Sequence, residues 1–185
     1  MIRLLDVVFA LIGLIAGFPV LVVLYLLGLF DTGSPLFMQE RVGRGKKPFT
    51  LVKFRTMKVN TASVASHLAN TASITKFGHF LRRTKLDELP QLWNVLKGEM
   101  SLVGPRPCLF NQQELISERE KRQVLKARPG ITGLAQVNNI DMSTPGLLAE
   151  TDQKMLKNLS VGAYFKYIFM TVAGKGSGDR VPGRD

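Results

Sequence analysis

The longest apolar stretch of the chain lies near its N-terminus. From Val7 to Phe30 there are 24 consecutive residues without a charge, and 17 of them are Leu, Ile, Val or Phe. As a helix this stretch is about 36 Å long, enough to cross about 30 Å of hydrocarbon. Pro19 stands almost at the midpoint, where it removes a backbone donor and favours a bend. The pattern predicts a retained membrane segment, either a bent spanning helix or a re-entrant hairpin that breaks at Phe18-Pro19.

Shorter patterns follow the apolar segment. Two strand-like runs, 36–42 and 49–57, flank a Gly- and Lys-rich loop and predict a β-hairpin. Helical periodicity appears at 77–81, at 89–96 with Gly98 as the stop, and in the charged segment 114–126. The apolar, aromatic stretch 159–172 fits a core helix and a helix at the membrane interface equally well. Residues 59–75 are expected to form a mobile insert and 174–185 a flexible tail.

Charge is concentrated behind the apolar segment. The 185 residues carry a net charge of +11, and residues 31–185 hold 24 of the 25 basic and 13 of the 14 acidic side chains. By the positive-inside rule, the basic cluster between Arg41 and Lys47, against the single Arg3 ahead of the segment, keeps the bulk of the chain in the cytoplasm. There it would rest on an anionic leaflet. One cysteine and two histidines exclude a disulfide framework and a Cys/His zinc site, so any metal must be bound by oxygen.

Asp87 and Glu88 are the first candidate for chemistry. They lie just ahead of the predicted helix at 89–96, where a helix cap with a dipole-compensating neighbour is the ordinary interpretation. Arg82, Arg83 and Lys85 directly precede them. Two carboxylates among cations stay ionised, can share a divalent cation and can attack phosphorus.

Two turn-rich stretches, 101–107 and 128–133, each contain one arginine, Arg106 and Arg128. A guanidinium on such a loop can bind phosphate oxygens in a bidentate manner. Exposed loop arginines without a ligand are an equally ordinary interpretation. The sequence has no P-loop and no G-x-G-x-x-G motif, so nucleoside-triphosphate chemistry has no support.

Six motifs in fixed order carry a family resemblance. They are KFRTM at 53–57, KFG at 76–78, LDELPQL at 86–92, WNVLKG at 93–98, MSLVGPRP at 100–107 and RPGITGLAQV at 128–137. With them the chain closely resembles the bacterial sugar transferases, the monotopic phosphoglycosyl transferase superfamily in its short form, over about residues 1–172.

The resemblance implies a membrane enzyme that moves a sugar-1-phosphate from a UDP-sugar to polyprenyl phosphate, releases UMP and requires Mg²⁺. It implies that Asp87 is the nucleophile and the metal ligand, through a covalent aspartyl phospho-sugar. Glu88 is then either a base or a neighbour of the metal, and the sequence leaves both roles open. The expected substrate-binding residues are Lys53, Arg55, Arg106, Arg128 and Asp152, although the segment around Asp152 departs from the aromatic-rich pattern usual in the family.

The resemblance also favours the re-entrant topology, because family members break their N-terminal helix at a Ser-Pro or similar pair, here Phe18-Pro19. The predicted fold is therefore α+β: mostly helical, with a small β-hairpin, a re-entrant membrane helix and interfacial amphipathic helices. We expect an anchor over 1–30, a cytoplasmic-face catalytic domain over 31–173, a tail over 174–185, and a location at the bacterial inner membrane. Gly13 and Gly17 form a G-x-x-x-G pair that offers a homodimer contact.

A membrane-tethered module that binds nucleic acid or anionic lipid without catalysis is the alternative, and basic charge alone would favour it. Nucleic-acid surfaces, however, usually interleave aromatic residues with Lys and Arg. Here the aromatic residues concentrate near the C-terminus, so no nucleic-acid partner is expected.

Overall fold

The computed structural model describes residues 1–59, 61 and 73–176, and confirms an α+β chain that is mostly helical. The expected insert at 59–75 and tail at 174–185 lie largely outside the described residues. The elements in chain order are α1 (Ile2–Thr32), β1 (Leu36–Val42), β2 (Pro48–Phe54), α2 (Lys76–Thr84), α3 (Gln91–Lys97), β3 (Ser101–Val103), α4 (Gln113–Lys121), β4 (Gly130–Thr132), α5 (Leu134–Val137), α6 (Pro145–Lys157) and α7 (Val161–Val172).

The predicted hairpin is confirmed. Strands β1 and β2 pair antiparallel from Leu36 opposite Phe54 to Val42 opposite Pro48. Helix α3 lies against β2 and is fixed there by the fully buried Asn94. Its amide nitrogen donates to the carbonyl oxygen of Thr50 at 2.7 Å, and its amide oxygen accepts from the backbone N–H of Val52 at 3.1 Å. This side chain therefore replaces a strand partner along the edge of the hairpin.

A second, parallel sheet joins the two turn-rich loops. It consists of β3 and β4, with Ser101 opposite Gly130 and Val103 opposite Thr132. A Cβ added to Gly130 would lie 2.0 Å from the backbone nitrogen of Gly104. The two backbone segments therefore approach each other closely at a point where neither residue has a side chain. This sheet was not predicted, because three-residue strands carry no periodic pattern of their own. Helix α6 was not predicted either.

Helix α1 runs without interruption through Phe18 and Pro19. The helix is therefore not broken at the predicted pair. Phe18 is 63% exposed. The helix is long and apolar enough to cross a membrane by length and composition.

Both ends of α1 nevertheless contact the same domain. Near the start, Arg3 donates from Nη1 to the carbonyl oxygen of Val95 at 2.7 Å and from Nη2 to that of Leu96 at 3.1 Å, at the C-terminal end of α3. Near the end, Thr75 donates its hydroxyl to the Asp31 carboxylate at 2.6 Å, and Leu24 packs in the buried cluster of α2 and β2.

Asp6 strengthens the first of these attachments. Its carboxylate is 1% exposed and accepts three hydrogen bonds, from the Ser101 hydroxyl at 3.0 Å, the backbone N–H of Leu102 at 2.9 Å and the Tyr164 hydroxyl at 3.0 Å. A buried carboxylate is tolerated only where donors satisfy it, so this arm of α1 is specifically docked. Burial and the adjacent Asp6 charge raise the pKa of the Tyr164 hydroxyl, which therefore stays a donor.

The G-x-x-x-G pair is used within the chain. A Cβ at Gly13 would lie 2.9 Å from Cδ1 of Leu92, so this glycine lets α1 approach α3, whereas Gly17 faces open space. Gly13 is thus already occupied by an internal contact, and the homodimer expected from this pair stays untested.

Helix α7 combines both interpretations of the 159–172 stretch. Tyr164 and Tyr167 point into the core, while Phe169 and Val172 are 73% and 81% exposed. The ring of Phe165 contacts that of Phe9 on α1, with centroids 5.6 Å apart. An exposed apolar face beside the anchor is what an interfacial helix presents.

Candidate active site

Asp87 and Glu88 lie in a short 3₁₀ turn, Leu86–Glu88, between α2 and α3. Lys85 ends α2 in the left-handed conformation at φ 58° and redirects the chain. The turn closes when the backbone N–H of Glu88 donates to the carbonyl oxygen of Lys85 at 3.2 Å. Pro90 then precedes the first residue of α3. The predicted position of the dyad, directly ahead of a helix, is confirmed.

The two carboxylates differ in their access to solvent. Asp87 is 2% exposed, whereas Glu88 is 8% exposed and forms part of the wall of a small pocket. Oε1 of Glu88 lies 3.6 Å from Nη2 of Arg106. The ionised groups on the pocket wall other than Glu88 are all cationic: Arg41, Lys53 and Arg106. Three cations around one carboxylate make this pocket suited to a polyanion.

Two of the five predicted substrate-binding residues line this pocket. Lys53 reaches it from β2 and is 8% exposed, and Arg106 reaches it from the loop after β3. The ammonium of Lys53 also stands 5.8 Å from the ring centroid of Phe37.

Arg55 and Arg128 do not line the pocket. Arg55 donates to the carbonyl oxygens of Ser34 at 2.8 Å and Leu36 at 3.2 Å, which holds the start of the hairpin. Arg128 donates from Nε to the carbonyl oxygen of Gly98 at 2.8 Å, which connects its loop to the end of α3. Both guanidiniums therefore contact backbone carbonyl oxygens in this structure, and their role in substrate binding stays a prediction.

Asp152 lies behind the pocket and does not face it. It is completely buried on α6, and its Oδ2 accepts from Arg119 Nε at 3.0 Å and Nη2 at 2.7 Å. Arg119 also donates from Nη1 to the carbonyl oxygen of Arg106 at 2.8 Å. Burial raises the pKa of the Asp152 carboxyl, and the Arg119 charge opposes that rise. In this structure Asp152 is connected to the pocket through Arg119 and Arg106, and its role in substrate binding stays a prediction.

Arg41 is a pocket residue that sequence reasoning treated only as part of a basic cluster. It is 8% exposed, and its Nη1 donates to the carbonyl oxygen of Pro107 at 3.0 Å. The pairing of the hairpin strands could have placed Arg41 beside Lys53. Arg41 pairs with Phe49 and Lys53 with Phe37, so both cations lie on one face of the hairpin.

A second, larger cavity of about 320 Å³ adjoins Glu88 and has mostly apolar walls. Glu88 and Ile131 belong to the walls of both the cavity and the cationic pocket. Glu88 thus lies at the junction of a cationic pocket and an apolar cavity, whereas its buried neighbour Asp87 belongs to the wall of neither.

Comparison with known proteins identifies the family. The family model described as bacterial sugar transferase matches residues 1–175. The chain belongs to the bacterial sugar transferase family. Among named relatives of this sugar transferase, a UDP-galactose-lipid carrier transferase from Erwinia amylovora is 37% identical, over 92% of the chain and 39% of the relative.

Two further relatives are named for undecaprenyl phosphate. The UDP-glucose:undecaprenyl-phosphate glucose-1-phosphate transferase of Escherichia coli is 40% identical, over 90% of the chain and 38% of the relative. The undecaprenyl-phosphate galactose phosphotransferase of Salmonella typhimurium is 38% identical, over 77% of the chain and 34% of the relative. The chain spans about two fifths or less of the length of these relatives.

The donor set fits one mode of magnesium binding. Across residues 1–59, 61 and 73–176, no group of three or more His, Cys, Asp or Glu side chains could hold a metal ion. Mg²⁺, however, is usually bound by one or two carboxylates together with substrate phosphates. Asp87 and Glu88 beside a cationic pocket fit an ion that is bound jointly with a diphosphate.

Proposed function

We propose that this sugar transferase moves a sugar-1-phosphate from a UDP-sugar to polyprenyl phosphate at the cytoplasmic face of the bacterial inner membrane. The observation that carries the proposal is the position of Glu88, the neighbour of the buried Asp87, on the wall of a pocket whose other ionised wall residues are Arg41, Lys53 and Arg106. The names of the relatives support the same class of donor and acceptor.

In the first step, the carboxylate of Asp87 attacks the phosphorus that carries the sugar. A bond forms between an aspartate oxygen and that phosphorus, the bond to the bridging oxygen of the diphosphate breaks, and UMP leaves with the electron pair. The cations of the pocket neutralise the diphosphate, since phosphoryl transfer depends mainly on positioning and charge neutralisation.

In the second step, a phosphate oxygen of polyprenyl phosphate attacks the same phosphorus. The bond to Asp87 breaks, the carboxylate is regenerated, and polyprenyl-diphospho-sugar leaves. The 2% exposure of Asp87 supports an intermediate of this kind, because a shielded ester is protected from hydrolysis between the two steps.

Mg²⁺ supplies charge neutralisation at the diphosphate when it is bound, and Asp87 with Glu88 would hold it. Glu88 has a second partner in Arg106, which restrains its carboxylate on the pocket wall. This contact supports a role for Glu88 in orienting the phosphates from the wall of the cationic pocket.

The contacts of α1 support the re-entrant topology. A straight helix of 31 residues is about 46 Å long and would place its two ends on opposite sides of a bilayer. Here Arg3 at one end and Asp31 at the other both bond to the domain behind the anchor. These contacts support a location of both ends on the cytoplasmic side.

The decisive test uses the full chain in lipid nanodiscs with Mg²⁺ and a panel of UDP-hexoses and UDP-N-acetylhexosamines. With polyprenyl phosphate present, UMP release is expected for at least one donor. With the donor alone, intact-mass spectrometry is expected to show one added phospho-sugar. Asp87→Asn should abolish the adduct and lower turnover by at least about a thousandfold.

Asp141→Asn is the matched control, because Asp141 is an exposed aspartate whose carboxylate accepts from the backbone N–H of Ser143. It loses the same charge and should leave adduct and turnover unchanged. Normal turnover of Asp87→Asn would refute the covalent route. Absence of UMP release with every donor would favour a binding module.

A further inference from the structure

The apolar cavity beside the dyad is the feature that the proposed chemistry has not yet used. Half of its twelve wall residues are leucines and isoleucines from the dyad turn, α3 and the residues just before it, the small sheet and α7: Leu86, Leu89, Leu92, Leu102, Ile131 and Ile168. Such a volume with so little polar lining favours a hydrocarbon ligand.

The shared wall determines what kind of molecule fits. Glu88 and Ile131 border both the apolar cavity and the cationic pocket. A ligand that fills the two spaces must carry a hydrocarbon part and an anionic part within a few bonds of each other. A lipid phosphate has this build, whereas a UDP-sugar has no hydrocarbon part.

The walls of the cavity also border the membrane anchor. Leu92 contacts α1 at Gly13, and Val172, which is 81% exposed, forms part of the wall from the end of α7. Val172 continues the exposed apolar face of α7 that includes Phe169. A chain from the bilayer can therefore reach the cavity along an apolar surface.

Lys85 fixes the spacing of two of these walls. Its ammonium donates to the carbonyl oxygen of Lys175 at 2.6 Å and to that of Thr171 at 3.4 Å. The residue that begins the dyad turn is thus bonded to the end of α7. The cavity is accordingly preformed at the side where the dyad lies.

We propose that this cavity binds the first isoprene units of the polyprenyl phosphate acceptor, so that the phosphate emerges beside Glu88. The inference rests on the proposed function for the identity of the acceptor. It adds the residues that recognise the lipid part, and it predicts that they act on the second step alone.

A tryptophan placed in the cavity tests this division. Ile168→Trp fills the space, and Leu147→Trp is the matched control, because it makes the same change in side-chain volume at a 52% exposed position of α6 that does not line the cavity. Ile168→Trp should raise the KM for polyprenyl phosphate by at least about tenfold, since each buried methylene group contributes about fourfold in affinity. The KM for the UDP-sugar and the adduct formed with donor alone should stay unchanged, as should every parameter of Leu147→Trp.

Acceptor chain length gives an independent measure on the wild-type protein. With isoprenyl phosphates of one to eleven units, KM should fall with each of the first few units and then level off once the cavity is full. A KM that does not depend on chain length, or an equal effect of both tryptophan variants, would overturn the proposal.

Photolabelling of the wild-type protein settles the case in which Ile168→Trp fails to fold. An isoprenyl phosphate with a diazirine in its second unit should label peptides from 86–92 and 161–172, and unlabelled polyprenyl phosphate should displace it. Labelling confined to α1, or equal displacement by phosphatidylglycerol, would contradict the assignment. Failure of the donor adduct in the same wild-type sample would refute the covalent step separately from the cavity.

Discussion

The buried carboxylate of Asp152 is expected to hold Arg119 and, through it, the backbone of Arg106 at the pocket. Asp152→Asn tests this expectation. The side chains of Asp152 and Arg119 are 0% and 2% exposed, so solvent does not screen their pairing. Removing one partner from a buried ion pair costs about 3–5 kcal/mol, and asparagine, which keeps an acceptor, belongs at the low end, about 3 kcal/mol. For a chain of this size that loss lowers Tm by about 6–12 °C.

Arg119 transmits the same change to the pocket, because it donates to the carbonyl oxygen of Arg106. With its charge uncompensated, Arg119 should shift and release that carbonyl. The KM for the UDP-sugar is then expected to rise more than kcat falls. Unfolding can be followed by the fluorescence of the single tryptophan, Trp93, and KM by UMP release.

A double variant separates stability from positioning. Asp152→Leu combined with Arg119→Met replaces the pair by apolar side chains of similar size, which is often neutral or stabilising. Stability should return, while the KM for the donor stays high because Arg106 has lost the donor to its carbonyl oxygen. Glu120→Gln, which breaks the exposed pair with Lys46, is the control and should cost under about 1 kcal/mol. The reasoning is wrong if Asp152→Asn melts like wild type, or if the double variant has a normal KM.

Three further predictions use other parts of the structure. The topology of α1 can be tested with single cysteines, Ile2→Cys and Lys47→Cys, each in a Cys108→Ser background. Both cysteines should resist a membrane-impermeant maleimide in intact spheroplasts and react with it after permeabilisation. Labelling of position 2 alone in intact spheroplasts would indicate a spanning helix. Burial raises the pKa of the Cys108 thiol, which therefore stays protonated at pH 8; a thiol assay should detect it only after denaturation, and rapid reaction of the native protein would contradict this. Arg106→Ala should raise the KM for the donor, whereas Arg128→Ala should mainly lower Tm, so a reversed pattern would exchange their roles.

The local features of the fold were predictable because each has its own sequence pattern. Strand β1 has the predicted bounds, and α3 ends at Gly98, whose φ of 84° only a residue without a side chain adopts easily. The dyad was predictable for the same reason, since capping residues and Pro90 mark the start of a helix. These are properties of a few neighbouring residues.

The direction of each arginine was not predictable, because it depends on contacts between distant segments. Arg106 and Arg128 lie in loops of the same composition, and the parallel pairing of β3 with β4 brings those loops together. One guanidinium nevertheless enters the pocket and the other bonds Gly98. Asp152 shows the same limit, because its motif position indicated importance while only the structure reveals its partner, Arg119.

Helix α3 links the anchor to the chemistry. Only Leu89 and Pro90 separate the dyad from its first residue, and Arg3 of α1 donates to carbonyl oxygens at its last turn. Seven residues of helix span only about 10 Å, so the dyad cannot move far from the arm of the anchor that runs beside α3. Gly13 makes that close approach possible, and Asp6 holds the arm through three hydrogen bonds. For the proposed transfer from a water-soluble donor to a lipid acceptor, these contacts would set the depth of Asp87 relative to the membrane.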